Sequence, residues 1–426
     1  MDTGILIRKM KKMGIDGKLG AWIFQFLTER HQAVRVGNTI SSWVKVLSGI
    51  PQGTVLGPVL FIIMISDLGI TEEEDQENQD LTSQEDALTL IYVDDSKAIQ
   101  KISSDEDVTK LQNTLNNIFQ WEKENNMLFN LKKFNVLRMG KKDEIKNNTT
   151  LFSGNYEEVI TRVEHVKDLG VIIDDQCNFK LQREKVVKKV NQKIGWVLRT
   201  FRDRSKPFMR TIWKSLIQPH QDYASQLWSP AGVVGDIAAQ EAPLRSFTRR
   251  ISGMKDIHYW DRLKLTNMLS TERRQERYKI LYLWKTISGL APSCGARLAP
   301  ESLRRGKTFI IPPLSGSWEK MKTQRERSFQ VEAPRLFNSL PRVIREAKDL
   351  DTMKGLLDMF LEEICDQPMI PGSTPGACNS EGRPSNSIRD WCRMMPGVLT
   401  WTAPHPLPIP WIQRPATTSY PSGNQA

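Results

Sequence analysis

The chain has 426 residues, 39% of them hydrophobic, and carries 60 Lys and Arg against 49 Asp and Glu, for a formal charge of +11 and a pI near 9.3. A mean hydropathy of -0.43 and a longest apolar run of only VLFIIMI (Val59–Ile65) argue against a membrane-spanning protein, and MDTGILIRKMKK puts charge where a secretory leader needs an apolar core, so an intracellular protein, cytoplasmic or nuclear, is expected. The positive balance favours a polyanionic partner such as nucleic acid, and the scattered Cys177, Cys294, Cys365, Cys378 and Cys392 form no C-x-x-C pair and read as reduced thiols.

In chain order, residues 1–175 mix short helical patterns with β-prone runs, AVRVG (Ala33–Gly37), LTLIYV (Leu88–Val93), FNVLRMG (Phe134–Gly140) and LGVIID (Leu169–Asp174), which predicts an α+β region. Within it, SGIPQGTVLGPVLF places Gly49, Gly53 and Gly57 four residues apart and Pro58 in the first turn of an apolar helix. Bare backbone with one amide, Gln52, suits packing against a base pair or sugar. A helix–helix contact through small residues is the competing explanation. The acidic stretch Thr71–Asp86 has nothing to bury and reads as a solvated loop.

LIYVDDSKAIQ (Leu90–Gln100) then sets two carboxylates between apolar alternations, the pattern of a hairpin with acids at its tip. Neighbouring side chains on a strand face opposite ways, so Asp94 and Asp95 converge only where the backbone turns. If they converge, a hard divalent cation such as Mg²⁺ relieves their repulsion and leads naturally to phosphate chemistry; otherwise the pair is an ordinary solvent-facing turn.

Beyond residue 175 the pattern is helical. Val186, Val190, Ile194, Val197 and Phe201 recur at helical steps with Lys185, Lys188, Lys189 and Lys193 on other faces, and Trp196 also fits the apolar side. A second helix is expected through ERRQERYKILYLWKTISG, capped by Ser270 and closed at Gly289, and a third over Thr352–Ile364. The divisions expected are 1–175, a basic helical region 176–296, an accessory segment 297–366 and a disordered Pro-rich tail 367–426.

The ordered set SGIPQGTVLGPVLF, YVDD, FNLKKFNVLRMG and VKDLGVIID closely resembles the successive motifs of reverse transcriptases from non-LTR retrotransposons, nearest the jockey and CR1-like elements, and the likeness continues through IWKSLIQPHQDYASQLWSP and ERRQERYKILYLWK. The resemblance implies an incomplete right-hand polymerase: an antiparallel palm with the YVDD hairpin followed by a helical thumb-like domain. It implies RNA-templated DNA synthesis with Mg²⁺ from an RNA template, a DNA primer and deoxynucleoside triphosphates. Asp94 and Asp95 would be catalytic metal carboxylates, and Lys133 a possible proton donor to pyrophosphate. Gly49, Pro51, Gln52, Gly53 and Tyr92 would meet nucleotide and template, Asp168, Leu169 and Gly170 would lie near the primer grip, and Lys185, Lys188, Lys189 and Lys193 would follow the nucleic-acid backbone.

The family's first metal aspartate would fall before Met1, since Asp2 matches a later, non-catalytic position. The expectation is therefore an N-terminally truncated copy with impaired polymerase activity. One alternative is a non-enzymatic RNA- or DNA-binding remnant; another is a helical interaction protein in which RRQER (Arg273–Arg277) is a solvated face.

Overall fold

Asp2 opens the first helix, α1 (Thr3–Lys12): its carboxylate accepts from Ile5 N at 3.1 Å, and Lys9, Lys11 and Lys12 fill the last turn, the charge order that a helix dipole favours. The computed structural model describes residues 1–69, 87–140, 150–153, 158–230, 234–300, 306–311, 326–364, 366, 387–394 and 401–402. The acidic stretch 71–86, expected to be a loop, lies outside them. The chain forms two units, Met1–Val166 and Lys167–Ala426, so the first division falls nine residues before the one expected at 175.

In the first unit α1 packs with α2 (Gly17–Leu27) and α3 (Leu56–Ile65) around Leu6, Met10, Ile23, Leu27, Leu60 and Met64. Between α2 and α3 lie β1 (His31–Gln32), β2 (Arg35–Val36), β3 (Thr39–Ile40) and β4 (Val44–Lys45), paired antiparallel as β1 with β4 and β2 with β3. The strand expected over Ala33–Gly37 shrinks to Arg35–Val36, both exposed, because no core lies against it.

β5 (Leu88–Tyr92) pairs antiparallel with β6 (Asp95–Ile99), and α4 (Asp105–Glu124) follows. A buried ammonium binds α1 to the end of α3 and to α4: Lys9 Nζ donates to Met64 O at 2.7 Å and to Asp67 at 2.5 Å, while Trp121 Nε1 donates to the same carboxylate oxygen at 2.6 Å. The Trp121 ring lies 4.9 Å from that ammonium. Farther along come β7 (Asn135–Leu137), β8 (Phe152–Ser153), β9 (Glu158–Val159) and β10 (Thr161–Val163), with β7 parallel to β10. An antiparallel platform was expected, whereas every sheet among the described residues is two-stranded and one pair is parallel. The architecture is mixed helix and strand with small sheets.

α4 carries a full capping box, Ser104 accepting from Asp107 N and Asp107 accepting from the Ser104 and Ser103 amides. Those backbone amides hold the Asp107 carboxyl below its usual pKa. The cap therefore stabilises α4 above the unfolded-state pKa of Asp and loses its contribution as pH falls through the lowered folded value. Asp107→Asn is expected to reduce the acid sensitivity of α4, read by hydrogen exchange of the Asp107–Leu111 amides between pH 2 and 5; an unchanged profile would discount the cap.

The chain enters the second unit within β11 (His165–Asp168), followed by β12 (Val171–Asp174) and α5 (Lys180–Thr200). Val186, Val190, Ile194 and Val197 of α5 are buried with Met209, Trp213, Trp228, α6 (Val234–Thr248) and α7 (Tyr259–Thr266). Trp196, which the helical pattern assigned to this core, is instead 42% exposed, edge-on to Phe201 with the Lys193 ammonium 5.5 Å from its ring.

α8 (Thr271–Ile287) begins at Ser270, which accepts from Arg273 N at 3.3 Å and is itself held by the Asp366 carboxylate, and it closes at Gly289 with φ 69°. Its apolar side meets α9 (Phe329–Ser339), α10 (Leu350–Glu363) and α11 (Ile388–Met394) in a second cluster of this unit. The division expected at 296/297 therefore does not separate compact units. RRQER is not a solvated face either: Arg273, Arg274, Gln275 and Glu276 are buried, and Arg277 forms a two-pronged pair with Asp358 at 2.5 and 2.7 Å.

The tail expected to be disordered holds α11. Ser387 Oγ and Ile388 N both donate to Glu276 at 2.6 Å, and Ile388 and Trp391 are buried against Ile280, Trp284 and Phe337. Average composition hid three apolar residues, Ile388, Trp391 and Cys392, at helical spacing. Most of 367–426 lies outside the described residues. Among the described residues no helix is long and apolar enough to cross a membrane.

Candidate active site

The carboxylate pair sits at the turn end of the β5–β6 hairpin. Tyr92 pairs with Asp95 across the strands, Val93 and Asp94 make the turn, and Val93 takes φ 55°, a left-handed conformation that disfavours a β-branched residue. Asp94 therefore projects from the turn itself and Asp95 from the first position of β6. Both are exposed, and Tyr92 is 61% exposed beside them. Neither aspartate makes a side-chain hydrogen bond among the described residues.

Two neighbouring elements position this hairpin. α4 packs on β6, and the turn after α3 reaches β5, where a Cβ on Gly69, at φ 79°, would stand 3.0 Å from Thr89 Cγ2. α3 in turn grows out of the glycine-spaced loop. Thr54 Oγ1 donates to Pro51 O at 2.8 Å and accepts from Gly57 N at 3.2 Å, closing the turn that starts the helix. Gly57 is buried because a Cβ there would press on Pro51 O at 3.1 Å. Gly49 and Gly53 hold φ 90° and 79°, conformations that favour glycine, and nothing lies within 4 Å of a Cβ built on either. Gln52 is exposed at the apex between them.

Sequence reasoning missed the residue that pins this loop. Arg30 donates from Nη2 to Gly49 O at 2.7 Å and from Nε to Leu27 O at 2.9 Å, tying the loop to the end of α2. No motif announces Arg30. Thr54 went unread as well, although a hydroxyl just ahead of an apolar helix is a helix-start signal.

Lys133 closes a 3₁₀ turn, Leu131–Lys133, with its side chain exposed, while Phe129 and Phe134 on either side pack on Phe119 of α4. In the second unit, Leu169 and Gly170 take φ 43° and 89°, and Tyr223 donates its hydroxyl to Leu169 O at 2.6 Å. Asp168 is half-buried at the end of β11. On α5, burial and then the neighbouring Lys167 and Lys189 lower the pKa of Lys185, and burial and then Lys189 and Lys193 lower that of His220. Lys185, Lys189 and Lys193 fall at four-residue steps on one face of α5, and Lys188 is exposed beside them.

The donor set fits one hard cation and not two. Mg²⁺ is commonly held by one or two carboxylates with water and substrate oxygens completing the shell, which Asp94 and Asp95 supply in number. Among the described residues no group of three or more His, Cys, Asp or Glu gathers anywhere, so these residues do not build a centre in which each of two ions has its own carboxylates. Asp2 is committed to the α1 cap.

A family model described as reverse transcriptase (RNA-dependent DNA polymerase) matches residues 2–173, the segment that carries the glycine-spaced loop, the hairpin and Lys133. A probable RNA-directed DNA polymerase from transposon X-element of Drosophila melanogaster is 24% identical over 210 residues, which are 48% of this chain and 22% of that protein. The RNA-directed DNA polymerase from mobile element jockey of the same organism is 28% identical over 218 residues, with the same shares of each chain. The aligned portion is thus about a fifth of the length of these curated relatives. Residues 2–173, with the YVDD turn and the loop around Gln52, are the part of the chain that is similar to the reverse transcriptase (RNA-dependent DNA polymerase) family.

Proposed function

We propose that the chain serves RNA-templated DNA synthesis, with the first unit as the palm and a remnant of the fingers and the helices after residue 175 as a thumb. Asp94 and Asp95 hold Mg²⁺, which when bound screens the phosphate charge. The loop Gly49–Gly53 offers bare backbone and the Gln52 amide to template and incoming nucleotide, and Tyr92 flanks them. Lys133, exposed on its turn, hands a proton to departing pyrophosphate. Asp168, Leu169 and Gly170 support the primer end, and Lys185, Lys188, Lys189 and Lys193 neutralise backbone phosphates. The observation that carries this reading is the family match over residues 2–173. The neighbouring positions of Asp94 on the turn and Asp95 at the start of β6 support it.

Among the described residues the hairpin offers one pair of carboxylates, which cannot fix two ions opposite the reacting phosphate, and synthesis by these 426 residues is accordingly impaired. Binding and chemistry separate the two parts of the proposal. An RNA–DNA primer–template duplex should bind with an affinity that falls steeply with salt, and neutralising Lys185, Lys189 and Lys193 to Gln should reduce the slope of log K against log[salt] by about 2–3. No binding even at low salt would refute the nucleic-acid role; robust extension with Mg²⁺ would refute the impairment.

A further inference from the structure

Within the second unit, a cavity of about 270 Å³ opens between α8, α9, the start of α11 and Ser229–Pro230. Its lining is charged in both signs, five carboxylates with four bases: Glu272, Gln275, Glu276 and Lys279 come from α8, Glu332 and Arg335 from α9, and Arg389 with Asp390 from α11. None of these residues belongs to the family-matched segment 2–173 or to the hairpin.

Lys279 is only 5% exposed, and among the described residues its ammonium has no hydrogen-bond or ion-pair partner, although Glu332, Glu276 and Glu272 lie near enough to act on it electrostatically. Gln275, one turn earlier and 3% exposed, leaves Nε2 without a hydrogen-bond partner, as does Ser229 Oγ at the same cavity; Arg389 Nε makes no hydrogen bond but stands 3.8 Å from Asp390. Two of the lining acids are engaged elsewhere. Glu276 takes the Ser387 hydroxyl and the Ile388 amide, and Glu332 stands 3.6 Å from both Arg335 and Arg389. Buried polar groups are almost always satisfied, so three groups without a partner around one cavity, with the unbonded Arg389 N–H beside them, call for an occupant.

The chemistry of those groups specifies it. An ammonium, an amide N–H, a guanidinium N–H and a hydroxyl are four donors, and the matching acceptor is an oxyanion, whose negative charge also compensates the buried Lys279. We propose that this cavity is a binding site for a small oxyanion, a phosphate or carboxylate group of a diffusible molecule, with Lys279 as the charge partner and Gln275, Ser229 and Arg389 as hydrogen-bond donors. At this volume the site admits one such group with a short substituent, at the small end of ligand cavities.

The test is a titration of the full chain with sodium phosphate and, separately, with sodium citrate, each against sodium chloride at equal ionic strength. Thermal unfolding and calorimetry are the readouts, for the wild type and Lys279→Met. The substitution keeps the side-chain length and removes a buried charge, so folding is retained; Gln275→Leu is the second variant. A saturable rise in the unfolding midpoint is expected in the wild type, about 5–10 °C at a hundredfold excess over Kd, and less than a third of it in either variant. The arm that saturates at the lower concentration distinguishes phosphate from carboxylate. Both salts also stabilise proteins by exclusion from their surfaces, an effect that does not saturate. A rise equal in wild type and variants, or no saturable heat, leaves a cavity filled by water only and overturns the proposal.

Discussion

Asp94→Asn is expected to slow primer extension by the 426-residue chain less than about tenfold, although the same change in a complete two-ion centre costs on the order of 10⁴ or more. Catalytic groups that act as a unit are not additive: once one is missing, removing the next changes little. Here the shortfall precedes the mutation. The hairpin supplies Asp94 and Asp95, the described residues gather no third ligand, and Asp2, the first acid of the chain, caps α1. Single-turnover extension of a labelled DNA primer on an RNA template, with Mg²⁺ and saturating nucleotide, provides the measurement. A loss approaching 10⁴ on Asp94→Asn would mean that the chain already holds a working centre. Ion binding should respond differently: Asp94→Asn ought to weaken Mn²⁺ binding at the hairpin at least tenfold, since half of the local carboxylate set disappears.

Trp391→Ala should destabilise the second unit by about 3–5 kcal/mol, the usual cost of emptying a fully buried aromatic site. Trp391 is 1% exposed and lies in the cluster that joins α8, α9, α10 and α11. The same change should lower the unfolding midpoint by roughly 6–20 °C, given the sensitivity of domains of this size. Cys392, its neighbour, gives a local readout. Burial pushes that thiol up to about 11. Docked, it is almost wholly protonated at pH 8, with a thiolate fraction near 10⁻³; released, it should react with iodoacetamide about a hundredfold faster. Peptide mapping with exposed Cys177 as the internal control separates undocking of α11 from global unfolding. Unchanged labelling and an unchanged midpoint would show that α11 contributes nothing to the fold.

The helices were the most legible part of the sequence, because their signals are local. Ser270, Glu272 and Gly289 delimit α8 as an N-cap, a first-turn acid and a left-handed terminator, and the Val186–Val197 stripe of α5 is buried at each step. The residues that hold distant parts together left no such trace. Lys9 finds Asp67 across 58 residues, and Arg30 finds the Gly49 carbonyl across 19, contacts that no periodicity encodes. Trp196 failed for the opposite reason: an aromatic at core spacing lies on the border of the apolar stripe, where covering it depends on what else arrives. α11 was lost to averaging, since its three apolar anchors are outnumbered by the Pro, Gly and Ser around them. In the candidate site, the order of the motifs was visible, whereas the ligand count was a property of three-dimensional assembly.

Glu276 and Ile388 are joined across 112 positions of chain. A ribosome adding about 5–20 residues each second needs roughly 6–22 s to travel from one to the other. In that interval the nascent polypeptide displays first Ile280 and Trp284 and then Phe337 without their final cover, a window for chaperone capture or self-association. A premature stop codon ahead of position 388 would make that window permanent.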